Sequence, residues 1–291
     1  MPPAARITDP TMHGAPLFPG PGSLNVQTAS LNAWRTLIDQ HVCPAVSISG
    51  PDGVGSVLMG SPTVWINNQM ACRQMDIVIE KPGAALGPAD PIMMGCPTVE
   101  IGGPVAVMVT VGAMTFVNFG GLNISGATED VNIFLAMMAE TAAATNTARL
   151  QFATVAGDTA HPITILLGRG QNGVLIDSFG TNQVNVSDLE QIPATPPAGH
   201  PKATARDEMI THFLVERHDA AANGSNFNTA HQAGINAQNQ MRNERGQPAI
   251  TGQNYATDAA GNNVGRTNYA DGSHQDLQLT PNNNVSGVTP P

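Results

Sequence analysis

Apolar and polar residues alternate over short stretches in the first hundred residues, and the same pattern recurs three times. Val64, Ile66, Val99 and Ile101 occupy every second position, as is typical of half-buried strands. The three copies read GSLNVQTASLNAWR at 22–35, GSPTVWINNQMACR at 60–73 and GCPTVEIGGPVAV at 95–107. A unit of this size cannot bury its own apolar face, so the three copies must share one core. We therefore predict a mainly β, conical domain over 1–103, in which three short hairpins surround a common axis.

The stretch that follows is the most apolar part of the chain. Residues 104–119 read PVAVMVTVGAMTFVNF, which is shorter than the roughly 20 apolar residues of a membrane-spanning helix. A buried strand or an interdomain helix is therefore favoured over a transmembrane segment. We predict an apolar linker over 104–127.

Helical periodicity returns after this linker. Val131, Phe134, Leu135 and Met138 fall on one face of a predicted helix over 128–149. Strands are predicted next, and two further helices follow at 204–222 and 227–245. The strands are placed at 150–155, 163–167 and 174–179. Together these elements predict an α+β extension domain over 128–245.

The last part of the chain, 246–291, is rich in Asn, Gly, Gln and Thr and poor in aliphatic residues. Such a composition offers too little apolar area to offset the entropy of ordering the chain. We predict a flexible, low-complexity tail.

Composition and charge narrow the functional classes. Only 12% of the 291 residues are charged and the net charge is −10, so no basic surface for nucleic acid is expected. Three cysteines cannot all pair within one chain, which favours synthesis in a reducing compartment. Pro2, Pro3 and Asp9 interrupt any signal-peptide pattern, so export by the general signal-peptide route is not expected.

The first repeats contain residues that bind metal ions. His41 and Cys43 are two positions apart, so an extended segment places both side chains on the same face. His13 comes from the preceding segment and is a third candidate ligand. Imidazole and thiolate are the usual ligands of structural zinc. The alternative is that the histidines are surface residues and the cysteine is a buried free thiol.

Several of these motifs together resemble the PAAR-repeat family. They are Pro3-Ala4-Ala5-Arg6, His13-Gly14, His41-Val42-Cys43-Pro44 and the GSPTVxIN…R…D frame at 60–76. The resemblance covers about 1–103. It implies one structural zinc ion near the apex of the cone, bound by three histidines and one cysteine.

His13, His41 and Cys43 match ligand positions of that family. The remaining histidine is replaced by the sequence Pro-Asp-Gly-Val-Gly at 51–55. Asp52 could substitute as an oxygen ligand, water could complete the coordination, or the site could lack a metal. Cys72 and Cys96 are expected to be small buried residues rather than ligands.

The resemblance also implies a function. PAAR proteins form the tip of a trimeric VgrG-like spike in type VI secretion and related contractile injection systems. The expected role is to sharpen the spike for envelope puncture, with the extension domain as cargo or adaptor. Expected partners are the spike trimer, an immunity protein or chaperone, and transiently the target membrane. The protein would be made in the bacterial cytoplasm and exported on the apparatus. The alternative is an effector whose extension is a toxin enzyme.

The extension domain contains its own cluster of candidate residues. His212 and Glu216 lie one helical turn apart, and His231 on the next helix could meet them as a metal triad. His218 is a further candidate for hydrolytic chemistry. Zincin peptidases need a glutamate directly after the first histidine, and this chain has Phe213 at that position. The segment 237–248 nevertheless faintly resembles the region that follows the metal-binding helix in some bacterial effector metallopeptidases. A polar helix face with no catalytic role is the favoured interpretation, so enzymatic activity is left open.

Overall fold

The computed structural model describes residues 1–47, 50–81 and 90–291. Strands account for 35% and helices for 26%, which confirms the prediction of a mainly β protein. The chain divides into two units. Unit 1 comprises Met1–Ala139 and Ala153–Pro162, and unit 2 comprises Glu140–Phe152 and Ile163–Pro291.

Short strands make up most of unit 1. They are β1 (Pro3–Ala4), β2 (Gln27–Thr28), β3 (Leu31–Asn32), β4 (Gln40–Ser47), β5 (Gly50–Val57), β6 (Trp65–Ile66), β7 (Gln69–Met70), β8 (Ile77–Lys81), β9 (Asp90–Pro91), β10 (Cys96–Glu100), β11 (Val107–Val111), β12 (Met114–Asn118) and β13 (Leu122–Ala127). Two of the predicted hairpins are formed by β2 with β3 and by β6 with β7.

Three equivalent segments of unit 1 hydrogen-bond to one another in a closed ring. The amide of Ala5 donates to the carbonyl of Cys72, Cys72 donates to Trp34, and Trp34 donates to Ala5, each at 2.9 Å. The third repeat is assembled from both ends of 1–103, because Ala4 in β1 pairs with Cys96 in β10. The three repeats therefore surround one axis.

An arginine fixes each ring segment in the same way. Its amide and Nε both donate to one carboxylate oxygen of a following aspartate, and its Nη2 donates to the other oxygen. The amide distances are 2.7–2.8 Å and the Nη2 distances 2.8–2.9 Å in the pairs Arg6–Asp9, Arg35–Asp39 and Arg73–Asp76. We call each of these pairs a clasp.

Apolar side chains fill the axis in two layers, because successive residues of an extended ring segment point to opposite sides. The layer beside the short hairpins contains Ala4, Ala33, Ile66, Ala71 and Ile101. The layer beside the longer strands contains Ala5, Leu17, Trp34, Val57, Cys72, Val78 and Ile92.

The longer strands curl around the axis. They are arranged in the order β4-β5-β8-β9 with antiparallel pairing. A bridge joins Pro19 to His41 at one side, and another joins Thr11 to Ile92 at the other. Segment 10–19 therefore closes this sheet into a ring that can enclose side chains.

The prediction of a linker over 104–127 is wrong. This segment forms an antiparallel meander in which β12 pairs with β11 and β13. Alternating residues of β13 are buried, and so are Thr115 and Val117 of β12. The apolar run at 104–119 therefore contributes strands to a sheet, and alternate side chains of β12 and β13 lie on its buried face.

The two helices that follow begin in unit 1 and unit 2 respectively. The predicted helix over 128–149 becomes α1 (Thr128–Ala144) and α2 (Asn146–Gly157). The strand predicted at 150–155 is wrong, because these residues continue α2. The amides of Asn146 and Thr147 each donate to the Glu244 carboxylate at 2.8 Å. This long-range acceptor satisfies the free amides at the start of α2.

The central part of unit 2 contains three strands and three helices: β14 (Ile163–Gly168), β15 (Asp177–Ser178), β16 (Gln183–Asn185), α3 (Val186–Gln191), α4 (Arg206–Asn223) and α5 (Phe227–Glu244). The predicted strand at 163–167 is confirmed, and that at 174–179 is reduced to β15. Both predicted long helices are confirmed. Gly224 ends α4 with φ 66°, and the Asn226 side chain accepts a hydrogen bond from the Thr229 amide at the start of α5.

The prediction of a flexible tail is wrong. Residues 250–289 form a four-stranded antiparallel sheet of β17 (Ile250–Thr257), β18 (Asn263–Tyr269), β19 (His274–Leu279) and β20 (Val285–Thr289). Ile250 and Tyr269 pack with Ile235 of α5. The sheet is ordered because helices of unit 2 supply part of its core. Within the described ranges, none of the helices is both long and apolar enough to span a membrane.

Candidate metal centres

Four side chains from separate segments converge in unit 1. His13 comes from the turn after Thr11, Cys43 from β4, Asp52 from β5 and Glu80 from β8. His13 Nδ1 lies 3.5 Å from Cys43 Sγ, 3.4 Å from Asp52 Oδ2 and 3.4 Å from Glu80 Oε2. Cys43 Sγ lies 4.0 Å from Asp52 Oδ2. We call this group the four-ligand cluster.

These separations fit one shared cation better than direct hydrogen bonds. Nitrogen and oxygen atoms that share a proton are 2.7–3.2 Å apart. Ligands of a tetrahedral zinc ion, at 2.0–2.3 Å from the metal, are about 3.3–3.8 Å from one another. The separations between His13 Nδ1 and its three neighbours lie within this second range. The cluster therefore could hold a metal ion.

His41 lies beside this cluster rather than in it. Its Nε2 is 3.0 Å from Glu80 Oε1 and 3.7 Å from Asp90 Oδ2, and its Nδ1 is 3.3 Å from the Pro16 carbonyl. The structure thus brings three of the four predicted ligands together and places Glu80 with them. His41 is in position to orient Glu80, as outer residues of metal sites commonly do.

Local strand geometry explains these positions. His41, Gly55 and Glu80 are direct partners across three neighbouring strands. A Cβ at Gly55 would lie 2.8 Å from Glu80 Cγ and 3.1 Å from His41 Cδ2, so glycine leaves the space these side chains need. The register of β4 and β5 shifts after Cys43, and this bulge turns Asp52 inward.

The electrostatics of the four-ligand cluster favour a cation. Burial raises the pKa of Cys43 to about 11, and nearby Glu80 and Asp90 add to this effect. Burial also raises the pKa of Asp90. Within the described part of the chain, Asp52 Oδ1 and Asp90 Oδ2 are buried without a hydrogen-bond partner. A positive ion would stabilise the thiolate and compensate the buried carboxylates.

Sequence reasoning missed Glu80 and Asp90. Glu80 follows the apolar run Ile-Val-Ile, and a single acid in such a strand is a signal that it has a buried partner. Asp90 carries no comparable local signal; its Oδ1 accepts the His13 amide at 2.7 Å. Cys72 and Cys96 are buried outside the cluster.

A second cluster lies in unit 2, between α4 and α5. His212 Nε2 is 2.9 Å from Glu216 Oε2 and 3.0 Å from His231 Nδ1, and His231 Nδ1 is 3.0 Å from Glu216 Oε2. The structure therefore brings three of the predicted residues together, and they too could hold a metal ion. We call them the helix-pair cluster. His218 lies on α4 but is not part of it.

Hydrogen bonds from both histidines control the charge of Glu216. Burial opposes ionisation, but the bonds from His212 and His231 outweigh it and lower the pKa of Glu216 to about 2. The carboxylate is therefore ionised at neutral pH. Phe213 is 1% exposed and packs beneath the Arg217 guanidinium, so no proton acceptor occupies the position of the zincin glutamate.

The helix-pair cluster lines a cavity of about 500 Å³ within unit 2. Aromatic side chains form part of the wall: Phe227 stacks on His231 with ring centroids 5.1 Å apart, and Phe179 meets Phe227 edge-on. The volume is in the range of small-molecule sites.

Comparisons with known proteins found no relative of this chain. No family model, curated protein or solved structure matches the chain. The structure itself defines a mainly β protein. Among the described residues, unit 1 contains the four-ligand cluster and a second group, His41, Glu80 and Asp90, that shares Glu80 with it, and unit 2 contains the helix-pair cluster; each of these groups could hold a metal ion.

Proposed function

We propose that this chain is a PAAR-type spike-tip protein, in which unit 1 caps a trimeric VgrG-like spike of type VI secretion or a related contractile injection system. The observation that carries the proposal is the ring closed by Ala5, Cys72 and Trp34. A single chain with three equivalent segments around one axis can present a matching surface to each chain of a trimer. This is the symmetry that a cap on a trimer requires.

The proposed contact surface is the side of unit 1 that carries the short hairpins. Leu24 is 79% exposed and Val99 is 39% exposed there, and they occupy the first and third repeats. Apolar residues beside short, open strands suit a partner that continues the strand pairing. The longer strands and the four-ligand cluster lie beyond the other apolar layer, which would point toward the target.

We further propose that the four-ligand cluster holds one structural zinc ion. His13, Cys43, Asp52 and Glu80 would hold it, and the ion would supply a cross-link between the N-terminal turn and three strands. Such a link compensates for the thin apolar core of a small domain under axial load. Unit 2 would be carried as cargo or adaptor, with an immunity protein or chaperone as its own partner.

The test is reconstitution of the full chain with a purified VgrG-like trimer encoded in the same genome. Light scattering after gel filtration should give one chain per trimer. The double variant Leu24→Asp/Val99→Asp should abolish the complex, whereas Val54→Asp, an exposed control on β5, should not. The proposal fails if the wild-type chain forms no complex, or if the two variants bind equally well.

The alternative function is a toxin enzyme in unit 2. The cavity beside the helix-pair cluster favours it. Expression of the full chain in the bacterial cytosol or periplasm should then arrest growth, and Glu216→Gln should restore growth. Harmless expression of the wild-type chain in both compartments would exclude this alternative.

A further inference from the structure

Three atoms of the helix-pair cluster, His212 Nε2, Glu216 Oε2 and His231 Nδ1, lie 2.9–3.0 Å from one another. A single proton cannot form hydrogen bonds along all three of these contacts. Gln238 Oε1 lies 2.8 Å from His212 Nδ1 and can only accept, so Nδ1 carries the hydrogen. The lone pair of neutral His212 is then on Nε2, which faces Glu216 Oε2 at 2.9 Å. One hydrogen on His231 Nδ1 would have to serve both of these atoms. The arrangement needs an additional positive centre, which is either a second proton on the His212 imidazole, donated to Glu216, or a metal ion.

The ring positions are fixed independently of any ligand. His212 packs against Gly234 of α5, where a Cβ would lie 2.9 Å from the imidazole carbons. His231 is held from the other side by the stacked ring of Phe227. The acceptor atoms therefore converge because both helices hold their side chains in place, which is the preorganisation that a metal site requires.

We propose that the helix-pair cluster binds one divalent transition-metal ion through His212 Nε2, Glu216 Oε2 and His231 Nδ1. Two histidines and one carboxylate are a ligand set of zinc sites that keep an open coordination position. Ligands of one zinc ion are about 3.3 Å apart. Each pair in the cluster therefore needs to separate by only a few tenths of an ångström. Gln238 would fix the tautomer of His212 from outside the coordination sphere.

The cavity beside the cluster indicates which ligand would occupy the open position. Its charged side chains are already paired: Arg266 Nε donates to Asp276 at 2.7 Å, and Asp177 lies 2.9 Å from Arg217. A phosphate or another polyanion would find no free cation among the described lining residues. Phe179, Phe227 and Tyr255 instead offer aromatic surface. The site therefore fits a small molecule or peptide end with an apolar or aromatic body and one metal-binding oxygen group.

The inference is independent of the spike-tip proposal, and cobalt titration of the metal-free full chain tests it. A cobalt ion in the four-ligand cluster is bonded to the Cys43 thiolate and gives a sulfur-to-metal band in the near ultraviolet. A cobalt ion in the helix-pair cluster has no thiolate and gives visible bands alone. In a Cys43→Ser chain, one equivalent should still bind with visible bands.

Adding Glu216→Gln to that chain should weaken cobalt binding at least 100-fold, while His218→Gln on the same helix should leave it unchanged. His231→Ala, at a half-buried position, provides a second ligand variant, and circular dichroism confirms folding of each. Benzohydroxamate should shift the visible bands and bind at least tenfold more tightly than acetohydroxamate. The inference is overturned if the Cys43→Ser chain binds no cobalt, or if both ligand variants bind it normally.

Discussion

Replacing one arginine of the threefold ring tests how unit 1 is held together. Arg73 is 1% exposed and donates from Nε and Nη2 to Asp76 at 3.2 and 2.8 Å. It also donates to the carbonyls of Gly102 and Gly103 from Nη1 and to that of Pro104 from Nη2, at 2.9–3.0 Å. Arg73→Met keeps an unbranched apolar stem and removes all of these side-chain hydrogen bonds.

The repeat provides a matched comparison, because Arg6 makes the same clasp with Asp9. In the described part of unit 1, Arg6 donates to Asp9 alone, and its side chain is 15% exposed. Removing one partner of a buried ion pair lowers the free energy of unfolding by about 3–5 kcal/mol. Arg73→Met also leaves three carbonyls without a charged donor, so we expect the free energy of unfolding to fall by about 4–6 kcal/mol. For Arg6→Met, the arginine that is replaced is partly exposed and makes no hydrogen bond to a carbonyl of the described residues, so we expect the free energy of unfolding to fall by only about 1–3 kcal/mol.

Tryptophan fluorescence is the natural assay, since Trp34 and Trp65 are the two tryptophans of the chain and both lie in unit 1. Urea unfolding followed by this signal reports unit 1 without a contribution from unit 2. The double variant Arg73→Met/Asp76→Asn should recover part of the loss, because it removes the unpaired charge. A result in which Arg6→Met is as destabilising as Arg73→Met would refute the reasoning.

Three further predictions follow from the two clusters and the helix pair. Glu80→Gln should weaken zinc binding by more than 100-fold, and His41→Gln by only about 10–100-fold because it acts through Glu80; equal losses measured by competition with a chelator would contradict this order. Gly55→Ala should weaken zinc binding without removing any donor, since its Cβ would crowd Glu80 and His41; unchanged affinity would count against the packing argument. Burial raises the pKa of Glu208 on α4 to about 7. The stability that its protonated carboxyl contributes is therefore fully present below pH 4.5 and is lost as the pH rises through 7. Thermal unfolding from pH 5 to 8 should show the free energy of unfolding of unit 2 falling by up to about 3 kcal/mol, and this fall should be absent in Glu208→Gln.

The threefold pattern could be predicted because its signals are local. The first two repeats each contain a glycine, alternating apolar residues and a terminal arginine, and these determine a short hairpin and a clasp. The closure of the third repeat could not be predicted, because it pairs Ala4 with Cys96. Nothing near either residue specifies a partner so distant in the sequence.

The tail shows how composition can mislead. Residues 250–289 contain few aliphatic side chains, yet the sheet buries Val264, Tyr269 and Leu277. Part of its stability comes from polar contacts with the segment just before α4, where the Thr204 amide donates to Gln275 at 2.6 Å. A segment that is too polar to fold alone is thus ordered when another segment supplies partners for its polar groups.

The positions of Glu80 and Glu216 distinguish the structural role proposed for the four-ligand cluster from the open metal site proposed for the helix-pair cluster. The two oxygens of Glu80 are divided: Oε1 faces His41, while Oε2 joins the four-ligand cluster. Glu216 instead directs Oε2 at both histidines of its cluster, and the His231 side chain is 26% exposed toward the cavity. Closed zinc sites with four protein ligands stabilise folds, and sites with three ligands and an open position support binding or chemistry. On this ground a reactive role should be sought in unit 2, because the four-ligand cluster already has four protein ligands and leaves no coordination position for a substrate.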